Sequence, residues 1–144
     1  MLQVTKIFHF EMAHAIHGYS GACKNIHGHS YELHVTVSAK ENGNNYIPAT
    51  GFVVDFKELK KCVNESVITL LDHKLVLSKE YIAAHTPVMN LENVILWEIE
   101  PSAENILVFI QRELTKVLPA HINLAELKLY ETRDSFAKWI APQA

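Results

Sequence analysis

Two stretches in which apolar and polar residues alternate, each carrying histidine at its tip, constrain this chain more than any other feature. The first closes as Phe8-His9-Phe10-Glu11-Met12-Ala13-His14. The second opens as Cys23-Lys24-Asn25-Ile26-His27-Gly28-His29 and runs on through Tyr31, Leu33, Val35 and Val37. A period of two marks a strand with one covered face. Read as strands, the second sets His27 and His29 on a common face and the first ends on His14, so a hairpin-like pairing brings three imidazoles together. A lone histidine is more often a core or surface group fixed by hydrogen bonds. Three neutral imidazoles that leave a fourth position for water or substrate describe a catalytic zinc site, not a structural one. The constellation therefore points to an enzyme. His17, three residues after His14, is a competing ligand.

Cys23 precedes His27 by four residues. A nearby Zn²⁺, or a histidine that accepts its proton, lowers a thiol pKa from about 8.5 toward neutrality and favours the thiolate. Two other readings stay open: a fourth zinc ligand, which would make the site structural, or an inert thiol. Cys62, the only other cysteine, falls on the apolar stripe of an expected helix and reads as a small buried hydrophobe. Two cysteines make no disulfide framework, and a free thiol at Cys23 fits a cytoplasmic protein.

The 144 residues suffice for one domain, taken as 1–144, with a real core. A net charge of −3 without a basic stripe argues against nucleic acid as a partner. The longest apolar run, Ile106 to Ile110, is far short of a membrane span, and no signal peptide is expected at the N-terminus. A small anionic substrate, which needs only a local set of donors, remains open.

Along the chain, residues 3–13 read as a strand, Gly18, Ser20 and Gly21 as a loop, and residues 28–40 as a second strand. Asn42-Gly43-Asn44-Asn45 is turn chemistry. Asp55 then caps a helix over 55–71, with Glu58 closing a capping box and Phe56, Leu59, Val63, Val67 and Leu70 at helical spacing. Residues 78–92 are the least readable part, and Pro87 argues against a single helix there. Val94 to Glu98 reads as a short strand. Ser102 caps a second helix whose stripe is Ile106, Leu107, Ile110, Leu114 and Val117, ended by Pro119. Leu127, Leu129 and Glu131 alternate in a third long strand, and residues 135–141 make a fourth. Apart from that short segment, the order is two strands, two helices, two strands, an α+β pattern.

Three further positions carry chemistry. Asp72-His73 follows the first helix, where an imidazolium is favoured by the helix C-terminus and an aspartate can fix a histidine's tautomer. Adjacent residues often point apart, so Asp72 could equally be a solvated cap. Glu131 shares the parity of Leu127 and Leu129 and should face the apolar side, where a carboxylate is costly without donors. A ligand with two adjacent N–H groups, such as a 2-amino-4-oxo heterocycle, would satisfy it in a bidentate manner. If the strand has already ended, Glu131 is simply exposed. Glu104, in the first turn after Ser102, is accounted for by the helix dipole alone.

Taken together, Phe10 to His14, Cys23 to His29, Val54-Asp55-Phe56, Leu71-Asp72-His73-Lys74, Pro101 to Ile106 and Tyr130-Glu131-Thr132 resemble the 6-pyruvoyltetrahydropterin synthase family over nearly the whole chain. Cysteine followed, after three residues, by His-Gly-His resembles the bacterial branch that makes a carboxy product. Pyruvoyl-forming members tend to carry five residues in that gap, and a branch serving folate synthesis has glutamate in place of the cysteine. The resemblance implies zinc on His14, His27 and His29, Cys23 as general base, Asp72-His73 as a proton-relay pair, Glu131 as the pterin anchor and Glu104 near the site. Ser102 stands where the family usually has threonine. The implied fold is a T-fold: a four-stranded antiparallel sheet with two helices between strands 2 and 3, several copies closing into a barrel, as a homohexamer with sites at subunit boundaries. The implied reaction is a zinc-dependent lyase reaction in 7-deazaguanine and queuosine synthesis. It converts 7,8-dihydroneopterin triphosphate to 6-carboxy-5,6,7,8-tetrahydropterin, releasing acetaldehyde and triphosphate. The alternatives are the pyruvoyl-forming synthase and, more remotely, a non-catalytic zinc- or pterin-binding module. Lys24, Lys74 and Arg133 are candidate triphosphate contacts.

Overall fold

Strand β1 (Gln3–His14) and strand β2 (His27–Ala39) pair antiparallel along their length, from Gln3 opposite Ser38 to His14 opposite His27. The structure is a computed structural model describing residues 2–40, 45–85 and 90–142. The Asn42-Gly43-Asn44 part of the expected turn, and Pro87, lie outside the described residues. Alternation decides which face is covered. Phe8, Phe10 and Met12 on β1 and Tyr31, Leu33 and Val35 on β2 are all buried, while His9, Glu11 and Ser30 face outward.

Two helical layers cover that face. The first is α1 (Phe56–Val63), a π-helical turn over Asn64–Ile68, and α2 (Thr69–Leu71). Asp55 caps it by accepting the Lys57 N–H at 2.7 Å. Its buried residues, Leu59, Val63, Val67 and Leu71, recur every four positions. That interval drifts by about 40° per step in an ideal α-helix. The wider π turn, in which the Thr69 hydroxyl reaches the Asn64 carbonyl at 2.8 Å, absorbs the drift and returns Leu71 to the core. Phe56 and Leu70, expected on this stripe, are exposed. Cys62, expected to be buried, is only half-buried, its Sγ 3.7 Å from the Val117 carbonyl.

Helix α4 (Ala103–Val117) forms the second layer. Ser102 caps it, its Oγ accepting the Asn105 N–H at 3.3 Å, a contact worth about 1 kcal/mol. Ile106, Leu107, Ile110 and Leu114 are buried as expected, and Val117, at the helix end, is exposed. Each such aliphatic side chain contributes about 1.5–3 kcal/mol on full burial.

The sheet corrects the expected four antiparallel strands. It has six, in the order β4-β3-β1-β2-β5-β6, and is mixed. Strands β5 (Ile122–Thr132) and β6 (Ser135–Ile140) continue it antiparallel beyond β2. On the other side, β3 (Lys74–Ser78) runs parallel to the last residues of β1, Met12 to His14, and β4 (Val94–Trp97) runs parallel to β3. Between them α3 (Lys79–Ala84), capped by Ser78, makes the crossover. The reason β3 escapes a reading by alternation is its burial: Leu75, Val76, Leu77 and Ser78 are all buried, the pattern of a parallel strand covered on both faces. Along the rest of β1, Gln3 to Glu11, no strand pairs on that side among the described residues.

Candidate active site

The antiparallel register places His14 directly opposite His27, and His29 two residues along β2 opposite Met12. Because β-strand side chains repeat every two residues, all three rings lie on the helix-covered face at one end of the core. Their centroids are 4.6, 5.2 and 5.0 Å apart, and one ring nitrogen from each lies within 4.8 Å of the others.

Hydrogen bonding fixes which nitrogens are free. The His14 Nδ1 is 2.6 Å from the Pro101 carbonyl, and the His27 Nδ1 is 2.7 Å from the Asn25 carbonyl. A carbonyl only accepts, so each Nδ1 carries the proton and each Nε2 keeps its lone pair. This backbone bracing is how metal-ligating imidazoles are oriented. The His29 Nε2 is buried with no hydrogen-bond partner. Such an orphan is costly unless a cation or other partner meets it. Burial, opposed by the Pro101 contact and the Glu131 charge, lowers the pKa of His14; burial also lowers that of His29. The lowered values keep the His14 and His29 rings neutral, the form that binds metal. These residues fit a divalent cation.

Cys23 and His17 stay outside this cluster. Cys23 sits exposed on a short 3₁₀ turn, Ala22–Lys24, and its carbonyl accepts the Ile16 N–H at 2.9 Å. It lines a cavity of about 450 Å³ together with His14, Tyr19, Ser102, Glu104, Glu131 and Phe136, among others. Glu131 thus points to the covered side, as its parity with Leu127 and Leu129 requires. Its Oε1 is 3.7 Å from the His14 Nε2. Beneath it lies the buried Tyr31, whose hydroxyl is 3.5 Å from the same nitrogen and whose ring stacks on Phe10. Burial, together with the Glu131 carboxylate, raises the Tyr31 pKa, so the phenol stays a donor. The sequence signal for Tyr31 was its place two residues beyond His29, on the same face. A larger groove of about 780 Å³ between β4 and α4 holds none of these residues.

Asp72 and His73 do not point apart. The His73 Nδ1 is 2.9 Å from the Asp72 Oδ2. This follows from His73 adopting a left-handed backbone, φ 59°, which Asn93 and Glu11 stabilise. The Asn93 amide donates to the His73 carbonyl at 3.1 Å, and the His73 N–H donates to the Glu11 carbonyl. Asp72 in turn accepts the Glu11 N–H, which is the main cause of its lowered pKa. The structure does not bring this pair into the Cys23 cavity. His73, 78% exposed, lines a separate cavity of about 390 Å³ with Glu11, His29, Ser30 and Lys74, among others.

Fold and site define an α+β sheet protein built around a three-histidine cluster beside a pocket lined with a thiol and carboxylates. Residues 3–141 match the family model for 6-pyruvoyl tetrahydropterin synthase, and the chain belongs to that family. It is 29% identical to a 6-carboxy-5,6,7,8-tetrahydropterin synthase of Haemophilus influenzae, over 96% of this chain and 99% of that one. It is 35% identical to a 6-pyruvoyl tetrahydrobiopterin synthase of Pongo abelii, over 80% of this chain and 68% of that one. The solved 6-pyruvoyl tetrahydropterin synthase of Caenorhabditis elegans superposes with a TM-score of 0.71 at 20% identity, covering 98% of this chain and 96% of that one. The fold is the T-fold. No helix among the described residues is long and apolar enough to cross a membrane.

Proposed function

We propose that this chain is a zinc-dependent lyase that converts 7,8-dihydroneopterin triphosphate to 6-carboxy-5,6,7,8-tetrahydropterin, releasing acetaldehyde and triphosphate. The observation that carries this reading is the convergence of three imidazoles, two with Nδ1 braced by carbonyls and the third with an orphaned Nε2, of which His14 also lines the cavity holding Cys23 and Glu131. Several curated relatives spanning nearly their whole length carry the carboxy-synthase name, and the three residues between Cys23 and His27 favour that branch. Such a product feeds 7-deazaguanine and queuosine synthesis in the cytoplasm.

Bound by His14, His27 and His29, Zn²⁺ would supply Lewis acidity toward the substrate's side-chain hydroxyls. Glu131 accepts two N–H groups from the 2-amino-4-oxo edge of the pterin, which orients the side chain toward Cys23. The Cys23 Sγ takes a proton from that side chain, and the separation of Cys23 from the histidine cluster supports a base over a fourth ligand. His73, its tautomer held by Asp72, moves the second proton. Each transfer contributes roughly 10²–10⁴ in rate if well placed. Glu104, on the first turn of α4, lines the same cavity as the pterin anchor.

Since His73 lies outside the Cys23 cavity, the relay pair acts on the pocket of a neighbouring copy. The unpaired length of β1 and the outer edge of β6 offer the edges by which several copies close a barrel, with a hexamer as the assembly. The pyruvoyl-forming reaction uses the same site without side-chain cleavage. Incubating zinc-loaded protein with 7,8-dihydroneopterin triphosphate, with mass analysis of the pterin and a trap for acetaldehyde, tests the assignment. Carboxypterin with acetaldehyde supports it; a pyruvoyl product without acetaldehyde replaces it with the sister reaction; no turnover with zinc bound leaves a binding module.

A further inference from the structure

Three consecutive residues before α4 each hold a different part of the candidate site. Ser102 caps the helix that presents Glu104. The Pro101 carbonyl braces His14. Glu100, half-buried, sends its carboxylate Oε2 to the His17 N–H at 2.8 Å. Its own carbonyl accepts the side-chain amide of Asn105 at 2.9 Å, so the backbone under that carboxylate is tied to α4. The neighbouring amide, Ile16 N–H, donates to the Cys23 carbonyl at 2.9 Å.

A chain of contacts therefore runs from α4 through Glu100 to His17, then through the adjoining Ile16 to Cys23. The loop between β1 and β2 passes through the left-handed region at Gly18, φ 76°, and its residues 18–20 are exposed. Ala15 anchors its start in the core, and the bonds around Cys23 itself are short-range, from the Lys24 N–H to the Gly21 carbonyl and from the Asn25 N–H to the Ala22 carbonyl. Cys23 is itself exposed, so the contact from Ile16 is what ties its backbone to the end of β1. A charged acceptor on a backbone N–H makes a stronger bond than a neutral one.

We infer that Glu100 is a positioning residue for Cys23, lashing the thiol's loop to the start of α4 so that the sulfur faces the substrate. The inference rests on the function proposed above for the role of Cys23, and it concerns a residue outside the motifs that carry the family resemblance. It distinguishes Glu100 from Pro101, which acts on a histidine ligand, although the two are adjacent.

The test compares Glu100→Ala and Glu100→Gln with the parent in the intact, zinc-loaded protein. Three quantities are read: amide hydrogen exchange at Ile16 and His17, zinc stoichiometry, and the separate kcat and KM for 7,8-dihydroneopterin triphosphate. For Glu100→Ala, exchange at both amides rises about tenfold, and kcat falls about tenfold with KM within about twofold and zinc unchanged. Glu100→Gln keeps an acceptor oxygen and restores both exchange and kcat. Unchanged exchange at Ile16, or faster exchange with kcat intact, overturns the inference. Loss of zinc in Glu100→Ala also overturns it, since Glu100 would then act through His14. A parent without turnover defeats the proposed reaction, and exchange at Ile16 then decides alone whether Glu100 holds the Cys23 loop.

Discussion

Asp72 and Glu11 are joined at the edge of β1: the carboxylate Oδ1 at the end of the first helical layer accepts the backbone N–H of Glu11 at 2.8 Å. The Glu11 carbonyl returns the contact by accepting the His73 N–H. One strand residue thus fixes both members of the Asp72–His73 pair, and the left-handed backbone of His73 follows from that clamp.

The clamp makes acid stability a readout of Asp72. Hydrogen bonds, first the one from Glu11, hold its carboxyl below the usual range. A folded pKa below the unfolded one adds stability above the unfolded value, near about 3.9, and that stability is lost as pH falls through the folded value. Comparing parent with Asp72→Asn by chemical denaturation, the gap between them should be constant above about pH 5 and shrink below about pH 4. A gap that stays flat into acid would remove the carboxylate from the account. Asp72→Asn should also lower kcat by roughly 10²-fold or more, through the tautomer of His73.

Cys23→Ala separates catalysis from metal binding. Zinc stoichiometry should match the parent, while turnover falls by roughly 10²–10⁴. Metal analysis and steady-state kinetics on one preparation check both. Loss of zinc would make Cys23 a ligand and the centre structural.

Glu131→Gln should weaken the pterin without touching zinc. A neutral amide accepts less strongly and presents an N–H where the ligand also donates, a loss on the order of 1–3 kcal/mol, or about 5- to 150-fold in Kd. Titration with 7,8-dihydroneopterin, followed by its fluorescence, measures this. An unchanged Kd would place the heterocycle elsewhere.

Much of this was legible in the residues, and the exceptions have physical causes. Alternation exposed β1, β2 and β5 and put His14, His27, His29 and Glu131 on one face, because a single covered face imposes a period of two. Asp55 and Ser102 marked their helices through capping chemistry that is local. Leu75-Val76-Leu77 concealed β3, since a parallel strand buried on both faces has no period to read. The π turn shifted the buried stripe from Leu70 to Leu71, a change no fixed helical spacing anticipates. The separation of His73 from the Cys23 cavity, and the reach of Glu100 to His17 across 83 positions, are tertiary and leave no local mark.

The central claim is that three imidazoles, and not the nearby thiol, hold the metal of a catalytic centre. X-ray absorption at the zinc edge of the zinc-loaded protein tests it directly. The account predicts only nitrogen or oxygen neighbours at about 2.0–2.1 Å, with the multiple-scattering pattern of three imidazoles. A sulfur neighbour at about 2.3 Å would contradict it, because Cys23 would then close the coordination sphere and leave no base for the reaction.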